Sequence, residues 1–459
     1  MSLWVDEGWS AITADQDTLP AVTDMVVEDV HPPLHLYLLH IWRQLTGTSV
    51  FALRYMAVLA TLLTAAFIYR LGSDLFDNQT GLIASLLYVT HDLVIVLGQE
   101  VRQYPLAMLL SVMTVWVYWR FWTETSWQRG VAFVVSGAAL LWTLYWGGFV
   151  LLSLAVHAMV TQPRRVVRFA SANLVIGILF LPWVPILLQQ TVDDLPEGIG
   201  HALPAETNSY EILAFQLLGR PEIFWGILGI AGTFHLGRRR WWPDATTMLL
   251  ASVVGITLAL SIALNYFYAS LSFRNLAILL PPFGLLVGHT IARFRSYERA
   301  ILVLIAVAFG LTLTDAGPPT RLPWPRIANH ITHHSRADDV VLIETWFDTY
   351  AFEYYLEDVE SIRSQVRRRD ENKAPPGFTG DEVGAAQGIW IMRFASDTDI
   401  RPALHDLGFV DSGSFQWQTP LSPVDLWRLD RPAEGLVEVF GTEIALNRYS
   451  VRRQPDGVS

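Results

Sequence analysis

Residues 51–72 read FALRYMAVLATLLTAAFIYRLG, and this stretch decides the class of the fold. It matches the roughly 20 residues that an α-helix needs to cross a bilayer. Its only charges, Arg54 and Arg70, lie towards its two ends. Moving downstream, comparable apolar runs recur at 80–98, 103–122, 128–143, 147–161, 169–189, 222–236, 245–267, 272–292 and 298–315. Gly147-Gly148 favours two short spans over one long helix across 128–161. About ten spans are therefore expected. The composition agrees: 52% of residues are hydrophobic and 16% charged, against about 25% charged in soluble domains. Trp and Tyr gather at the ends of several runs, as interfacial anchors do.

The basic residues set an orientation. Arg70, then Arg120 and Arg129, then Arg164, Arg165 and Arg168, then Arg238-Arg239-Arg240, then Arg293, Arg295 and Arg299 fall in alternate loops. The intervening loops carry Glu100, Asp193, Asp194, Glu197, Glu206 and Glu211. By the positive-inside rule the arginine loops are cytoplasmic, so both termini are expected to be extracytoplasmic. The sequence contains no cysteine, which excludes disulfides, thiolate metal sites and a cysteine nucleophile. A net charge of −11 argues against nucleic acid as a partner. No cleavable signal peptide is visible, because Met1 is followed at once by an acidic segment.

Beyond Asp315-Ala316-Gly317-Pro318-Pro319, a breaker cluster, the character becomes soluble. An amphipathic helix is expected at 324–334 and a buried strand at 339–343. A helix at 349–357, a strand at 388–394, a helix at 401–407 and strands from 409 to 451 follow. The division is thus 1–50, an outer loop with amphipathic juxtamembrane helices; 51–316, a transmembrane bundle; and 317–459, a small extracytoplasmic α/β domain. His330, His333 and His334 lie on the first of these helices, and a solvated surface is the expected setting rather than zinc.

Four features converge on the outer face. They are Asp6-Glu7; His31-Pro32-Pro33-Leu34, opening an aromatic and apolar segment; Gln99-Glu100-Val101-Arg102-Gln103-Tyr104-Pro105, in a very short loop; and Phe273-Arg274-Asn275, opening a late span. Ionisable groups at the mouth of a bundle are functional candidates by default.

Taken in order, Leu3-Trp4-Val5-Asp6-Glu7-Gly8-Trp9-Ser10, His31-Pro32-Pro33-Leu34, Phe51-Ala52-Leu53-Arg54 and Gln99-Glu100-Val101-Arg102-Gln103-Tyr104 resemble the GT-C membrane glycosyltransferases. The branch is glycosyltransferase family 39, with the dolichyl-phosphate-mannose protein mannosyltransferases and the bacterial aminoarabinose and Rgt-type transferases. Arg274-Asn275 stands where that family has Arg-Tyr before a late, proline-containing helix. The resemblance implies a mainly α fold: a polytopic GT-C transmembrane helical bundle followed by a small extracytoplasmic α/β domain. It implies location in a bacterial cytoplasmic membrane. The implied reaction moves a hexosyl or pentosyl group from a polyprenyl-phosphate-linked sugar donor to a hydroxyl of an acceptor glycan, lipid or protein.

An attacking hydroxyl must lose a proton, which a carboxylate within hydrogen-bond reach can accept. Matching the family motif, Asp6 is the expected base, Glu7 its supporting carboxylate, and Glu100 a further acidic contact to sugar or acceptor. Negative charge grows on the leaving lipid phosphate, where fixed guanidinium groups lower the barrier. Arg102 and Arg274 are the candidates, with His31, Tyr104 and Asn275 as further donor-binding residues. A monophosphate neutralised this way requires no cofactor, although Asp6, Glu7 and His31 are also competent to hold a divalent cation. The lipid tail needs an apolar groove. Trp116, Trp119, Trp142, Tyr145 and Trp146 are candidates to line it, although packing and anchoring are commoner roles for membrane aromatics.

Two departures from the family pattern stand out. Related chains carry a hydrophobic helix ahead of the acidic motif, whereas only Met1 to Val5 precede it here, so an upstream start or a truncation is expected. Thr90-His91-Asp92-Leu93 also stands where the family has a proline before the second loop. Two rival functions follow from the sequence: a transporter or flippase of lipid-linked sugars, and a non-catalytic glycan-assembly protein. Against transport, few ionisable residues lie midway along the spans, where coupling sites usually sit.

Overall fold

Ser49 starts the first long helix. Its hydroxyl accepts the Ala52 N–H, capping a 26-residue helix that runs from Val50 to Leu75; such a cap satisfies one of the donors a helix N-terminus leaves orphaned. The computed structural model describes residues 2–124, 126–194, 244–267, 271–294, 296, 300, 323–336, 338–343, 349–356, 366–368, 383, 386–394, 400–417, 424–431, 438–440 and 444–446. The chain divides into two compact units, one of residues 13–316 and one of residues 1–12 with 317–459.

In chain order the helices are α1 (Val5–Ala14), α2 (Leu19–Val27), α3 (Leu34–Thr46), α4 (Val50–Leu75), α5 (Asn78–Val89), α6 (Asp92–Leu97), α7 (Tyr104–Thr123), α8 (Trp127–Leu141) and α9 (Gly147–Thr161). There follow α10 (Val166–Phe180), α11 (Val184–Asp194), α12 (Ala245–Phe267) and α13 (Phe273–Ala292). Among the described residues, five helical stretches are long and apolar enough to cross a membrane: Val50–Leu75, Tyr104–Thr123, Pro163–Thr191, Ala245–Tyr266 and Phe273–Ala292. The span expected at 222–236, and that at 298–315 apart from residue 300, lie outside the described residues. The break expected at Gly147-Gly148 is present, between α8 and α9.

The span expected at 80–98 is not one helix. The departure Thr90-His91-Asp92-Leu93 is where it divides: α5 ends at Val89, and the His91 ring caps α6 by accepting the Leu93 N–H at 3.2 Å. A side chain that bonds its own backbone two residues on offers the chain an alternative to the helix ladder.

Small residues let the bundle close. A Cβ at Gly72 would collide with Gly81, one at Gly288 would crowd Ala84, and α4, α5 and α13 pack together there. Several polar groups inside the bundle are paired across helices. Asp74 of α4 accepts the Trp116 indole N–H at 2.9 Å and Arg120 at 3.3 Å from α7. Tyr118 of α7 meets His157 of α9 at 2.7 Å. Trp119 stacks on Trp122. Trp116 and Trp119, two of the aromatics expected to line a lipid groove, pack against the bundle core.

In the other unit, α14 (Trp324–His334) precedes β1 (Val340–Ile343), α15 (Thr349–Tyr354), β2 (Val366–Arg368) and β3 (Gly388–Phe394). Then come α16 (Arg401–Asp406), β4 (Val410–Trp417), β5 (Val424–Asp430) and a short hairpin of β6 (Glu438–Phe440) and β7 (Ile444–Leu446). The main sheet has the order β2-β1-β3-β5-β4, parallel at β2-β1-β3 and antiparallel at β3-β5-β4. Both faces are covered, as the period-2 alternation requires. Trp390 and Met392 pack with Trp324, Ile331 and Phe352 on one side, and Ile389 and Ile391 pack with Leu404 and Phe409 on the other. The helix expected at 324–334 is α14 to the residue. A buried ion pair crosses the sheet: Arg428 reaches Asp339 at 2.6 Å and Asp430 at 2.7 Å.

Candidate active site

Two consecutive prolines set the geometry of the His31 motif. Pro32 and Pro33 precede α3 and lack the N–H donors that a helix start leaves unsatisfied. Leu34 N–H then donates to Trp142 O at 3.0 Å, tying the turn to the end of α8. The helix that follows is held at three further points. Tyr37 and Thr23 hydroxyls meet at 2.7 Å, His40 Nδ1 meets Ala14 O at 3.0 Å, and Trp42 Nε1 donates to Ala52 O at 2.8 Å. Its buried face carries His35, Leu36, Leu39 and His40, while Leu38, Ile41 and Leu45 are exposed. An apolar outer face is what a helix lying in a membrane interface presents.

The structure brings His31, Arg102 and Tyr104 together and adds two residues, Asp29 and His35. His31 Nδ1 donates to Asp29 Oδ2 at 3.2 Å, and the His31 and Tyr104 rings meet edge-on at 6.5 Å. Burial alone would raise the Asp29 carboxyl; the charge and hydrogen bond of His31, with the Arg102 guanidinium, instead hold it below the usual carboxylate range. An ionised acid therefore stands beside two cationic or cation-forming side chains. Burial drives the His35 imidazole down to about 3, and Arg102 and His31 push the same way. It is uncharged at neutral pH.

Glu100 and Arg102 lie in the turn between α6 and α7, and both are buried. Tyr104 and Pro105 open α7 immediately after it. Arg274 and Asn275 lie at the start of α13, where the Ser272 hydroxyl accepts the Arg274 N–H at 3.2 Å. The adjoining turn meets the same α7, with Ser111 Oγ donating to Ile278 O at 3.2 Å.

Asp6 and Glu7 occupy the first turn of α1, in the unit that holds the α/β domain. Negative side chains are favoured there by the helix dipole. The two differ in setting: Glu7 is fully buried and accepts the Trp4 N–H at 3.2 Å, whereas Asp6 is half-buried. Gly8 explains how the motif is held. A Cβ there would collide with the backbone of Tyr350 and Ala351 of α15, and Leu3 N–H donates to the Tyr355 hydroxyl at 2.9 Å.

Residues of α3, α4 and the start of α7 line a half-open cavity of about 240 Å³. Arg102 and His35 are among its lining residues, but its walls are almost wholly apolar, with Leu38, Trp42, Met56 and Leu106 among them. Neither ring nitrogen of His35, which is 3% exposed, has a hydrogen-bond partner among the described residues. Asp29 and His35 belong to no motif in the sequence. The Asp-x-His spacing at 29–31 was a readable signal for the first; a second His four residues on was the only hint of the other.

A bundle of apolar helices joined to a two-sided α/β domain is the GT-C architecture, and the chain has that fold. ArnT from Cupriavidus metallidurans, solved with undecaprenyl phosphate bound, superposes with a TM-score of 0.60 at 13% identity, covering 93% of this chain and 94% of that one. Within the chain, residues 30–188 match the family model described as Dolichyl-phosphate-mannose-protein mannosyltransferase. The chain is 30% identical over 156 residues to the undecaprenyl phosphate-alpha-4-amino-4-deoxy-L-arabinose arabinosyl transferase of Yersinia enterocolitica, and 29% identical over 147 residues to the second such enzyme of Proteus mirabilis. These matches span 32% and 30% of this chain, and 28% and 27% of the relatives' own lengths. The resemblance to GT-C glycosyltransferases read from the motifs therefore stands. His31, Glu100, Arg102 and Tyr104 lie inside the segment matched by the family model; Asp6, Glu7, Arg274 and Asn275 lie outside it.

Proposed function

We propose that this chain is a membrane glycosyltransferase that moves a sugar from a polyprenyl-phosphate carrier to an acceptor hydroxyl on a glycan, lipid or protein. The observation that carries the reading is the mostly shielded Asp29–His31–Arg102–Tyr104 cluster, whose Arg102 also lines an apolar cavity. A guanidinium, an imidazole oriented by a carboxylate and a phenol make a binding set for a phosphate monoester. The cavity behind them is suited to the first carbons of its lipid chain.

The leaving group is that phosphate. As the anomeric carbon–oxygen bond breaks, charge collects on its oxygens. A guanidinium fixed in a buried turn stabilises that charge without reorganising. Nδ1 of His31 is engaged by Asp29, which leaves Nε2 as the edge that can face a ligand. Asp6 is the proposed acceptor of the hydroxyl proton, with Glu7 holding the first turn of α1 in place. Glu100, Arg274 and Asn275 are proposed as further substrate contacts. The sugar is hexosyl or pentosyl, and the proposed setting is the outer face of a bacterial cytoplasmic membrane, where polyprenyl-linked sugars serve as donors.

The reading is tested by incubating membranes containing the protein with labelled polyprenyl-phosphate sugars and following label into acceptor. Transfer by the wild type, lost in Arg102→Met, supports it; donors left untouched by the wild type overturn it.

A further inference from the structure

An open groove of about 630 Å³ lies between α8 and α10, and Ser126, Gly130, Val134, Arg168, Ser171 and Val175 are among the residues lining it. It sits where the arginines of the bundle gather: Arg129 donates to the Arg120 carbonyl at 3.0 Å, and Arg165 to that of Trp122 at 3.5 Å. The two helices pass the groove in the same direction. A Cβ at Gly130 would touch the Phe121 ring, which meets Phe169 at 5.1 Å, and one at Gly137 would meet Ile176, two turns further along both helices. Ser126 and Arg168 therefore mark one end of the groove, and Val134 and Val175 the other. At 1.5 Å per residue the stretch from 126 to 134 is about 12 Å long, close to the roughly 15 Å of hydrocarbon in one leaflet.

The polar end suits an anion. The Ser126 oxygen accepts the Arg129 N–H at 3.3 Å, which leaves its own proton to donate outward. Ser171 turns its proton inward onto the Arg168 carbonyl at 2.9 Å, so the second donor group there is the Arg168 guanidinium. Arg168 is exposed, as are Arg164 and Arg165 on the turn before α10. Among the described residues none that lines the groove is acidic, and Glu124, just before α8, is engaged by Arg129 at 2.6 Å. Beyond this end the walls are apolar, and Trp127, Val131 and Val175 on the rim are exposed. An exposed Trp beside arginines is what the headgroup level of a membrane favours.

We propose that this groove binds an anionic glycerophospholipid of the surrounding leaflet, with its phosphate on Arg168 and Ser126 and one acyl chain lying between α8 and α10 over Gly130 and Ala172. The occupant follows from charge and length together: guanidinium groups with no acid among them select a negative head, and a groove one leaflet deep takes one chain. The site is separate from the cluster around Arg102. Arg102 precedes the first residue of α7, whereas Phe121 lies near its last turn, about 25 Å further along the axis. The inference does not depend on the reaction proposed above.

The test is native mass spectrometry of the full-length protein in detergent, titrated with phosphatidylglycerol or with phosphatidylcholine of the same chains. The wild type should hold phosphatidylglycerol in preference. Arg168→Gln should weaken that lipid by about fivefold, the scale of one arginine near an anionic head, and leave phosphatidylcholine unchanged. Arg164→Gln, outside the lining, should cost less. Ser171→Trp, at an exposed position, fills the groove without altering charge and should also weaken phosphatidylglycerol. The rise in thermal midpoint that the lipid gives the wild type should shrink in Arg168→Gln and in Ser171→Trp. Equal binding of the two lipids by the wild type would overturn the proposal. So would equal losses in Arg164→Gln and Arg168→Gln, which would reduce the effect to diffuse charge. A lipid-free dimer of the wild type, lost in Ser171→Trp, would assign the groove to a second copy and overturn the lipid as its occupant.

Discussion

The His31 imidazole and the Asp29 carboxylate are a hydrogen-bonded pair, Nδ1 to Oδ2 at 3.2 Å, with both side chains mostly shielded from solvent. A carboxylate only accepts, so the proton of this bond resides on Nδ1 and the ring is fixed about its axis. Asp29 touches no proposed substrate; it acts by positioning His31. Asp29→Asn should raise the KM for donor about tenfold, on the scale of one charge-assisted hydrogen bond, with kcat changed less. Steady-state kinetics on a lipid-phosphate sugar would show it. A fall in kcat at constant KM would place the residue elsewhere in the mechanism.

Acid should weaken the fold through His35. Its pKa is 6.5 in an unperturbed chain and about 3 here, so between those values the unfolded state binds the extra proton. Stability then rises with pH across that window and is lost as pH falls through it. Denaturation in detergent from pH 7 to pH 4 should show a decline that is shallower in His35→Leu. Parallel slopes for the two proteins would contradict this assignment.

Gly8 joins the acidic motif to α15, because a Cβ there would meet the backbone of Ala351. Gly8→Val should abolish most transfer by displacing α1, while the helical bundle melts as before. Retained activity would show that the position of Asp6 does not depend on this packing.

Arg428 is held between Asp339 and Asp430, and Gly388 leaves it room, since a Cβ there would overlap the guanidinium. Burial would raise the Asp430 carboxyl, but hydrogen bonds and charge from Arg428 hold it below the ordinary range. That stabilisation is complete above the unfolded value and is lost as pH falls through the folded one. Asp339→Asn breaks one arm of a buried pair and should destabilise the α/β domain by about 3–5 kcal/mol. Limited proteolysis of residues 317–459 would report it.

The fold was legible where periodicity is strong. Residues 51–72, 103–122 and 272–292 are helices, and 324–334 and 388–394 are the helix and strand their patterns specify. The span at 80–98 was misread because hydropathy does not register a His91 side chain capping its own backbone. His31, Arg102 and Tyr104 stood out as motifs, and the structure clusters them. Asp29 and His35 did not stand out, because their meaning is relational. An acid two residues before a histidine is ordinary until the two Pro residues turn the chain, and a histidine on an apolar face is ordinary until both nitrogens are found buried and unbonded.

Metal removal offers a separate check on the chemistry. The proposed leaving phosphate is neutralised by a guanidinium, so EDTA at millimolar concentration should leave transfer unchanged. Loss of activity restored by a divalent cation would assign that neutralisation to a metal.

The most direct measurement is sugar transfer itself. Membranes containing the wild type should convert a labelled undecaprenyl-phosphate sugar to undecaprenyl phosphate and labelled acceptor, and Arg102→Met and Asp6→Asn should each reduce that conversion at least a hundredfold. Wild-type membranes that leave every such donor intact, or variants that match the wild type, would contradict the account.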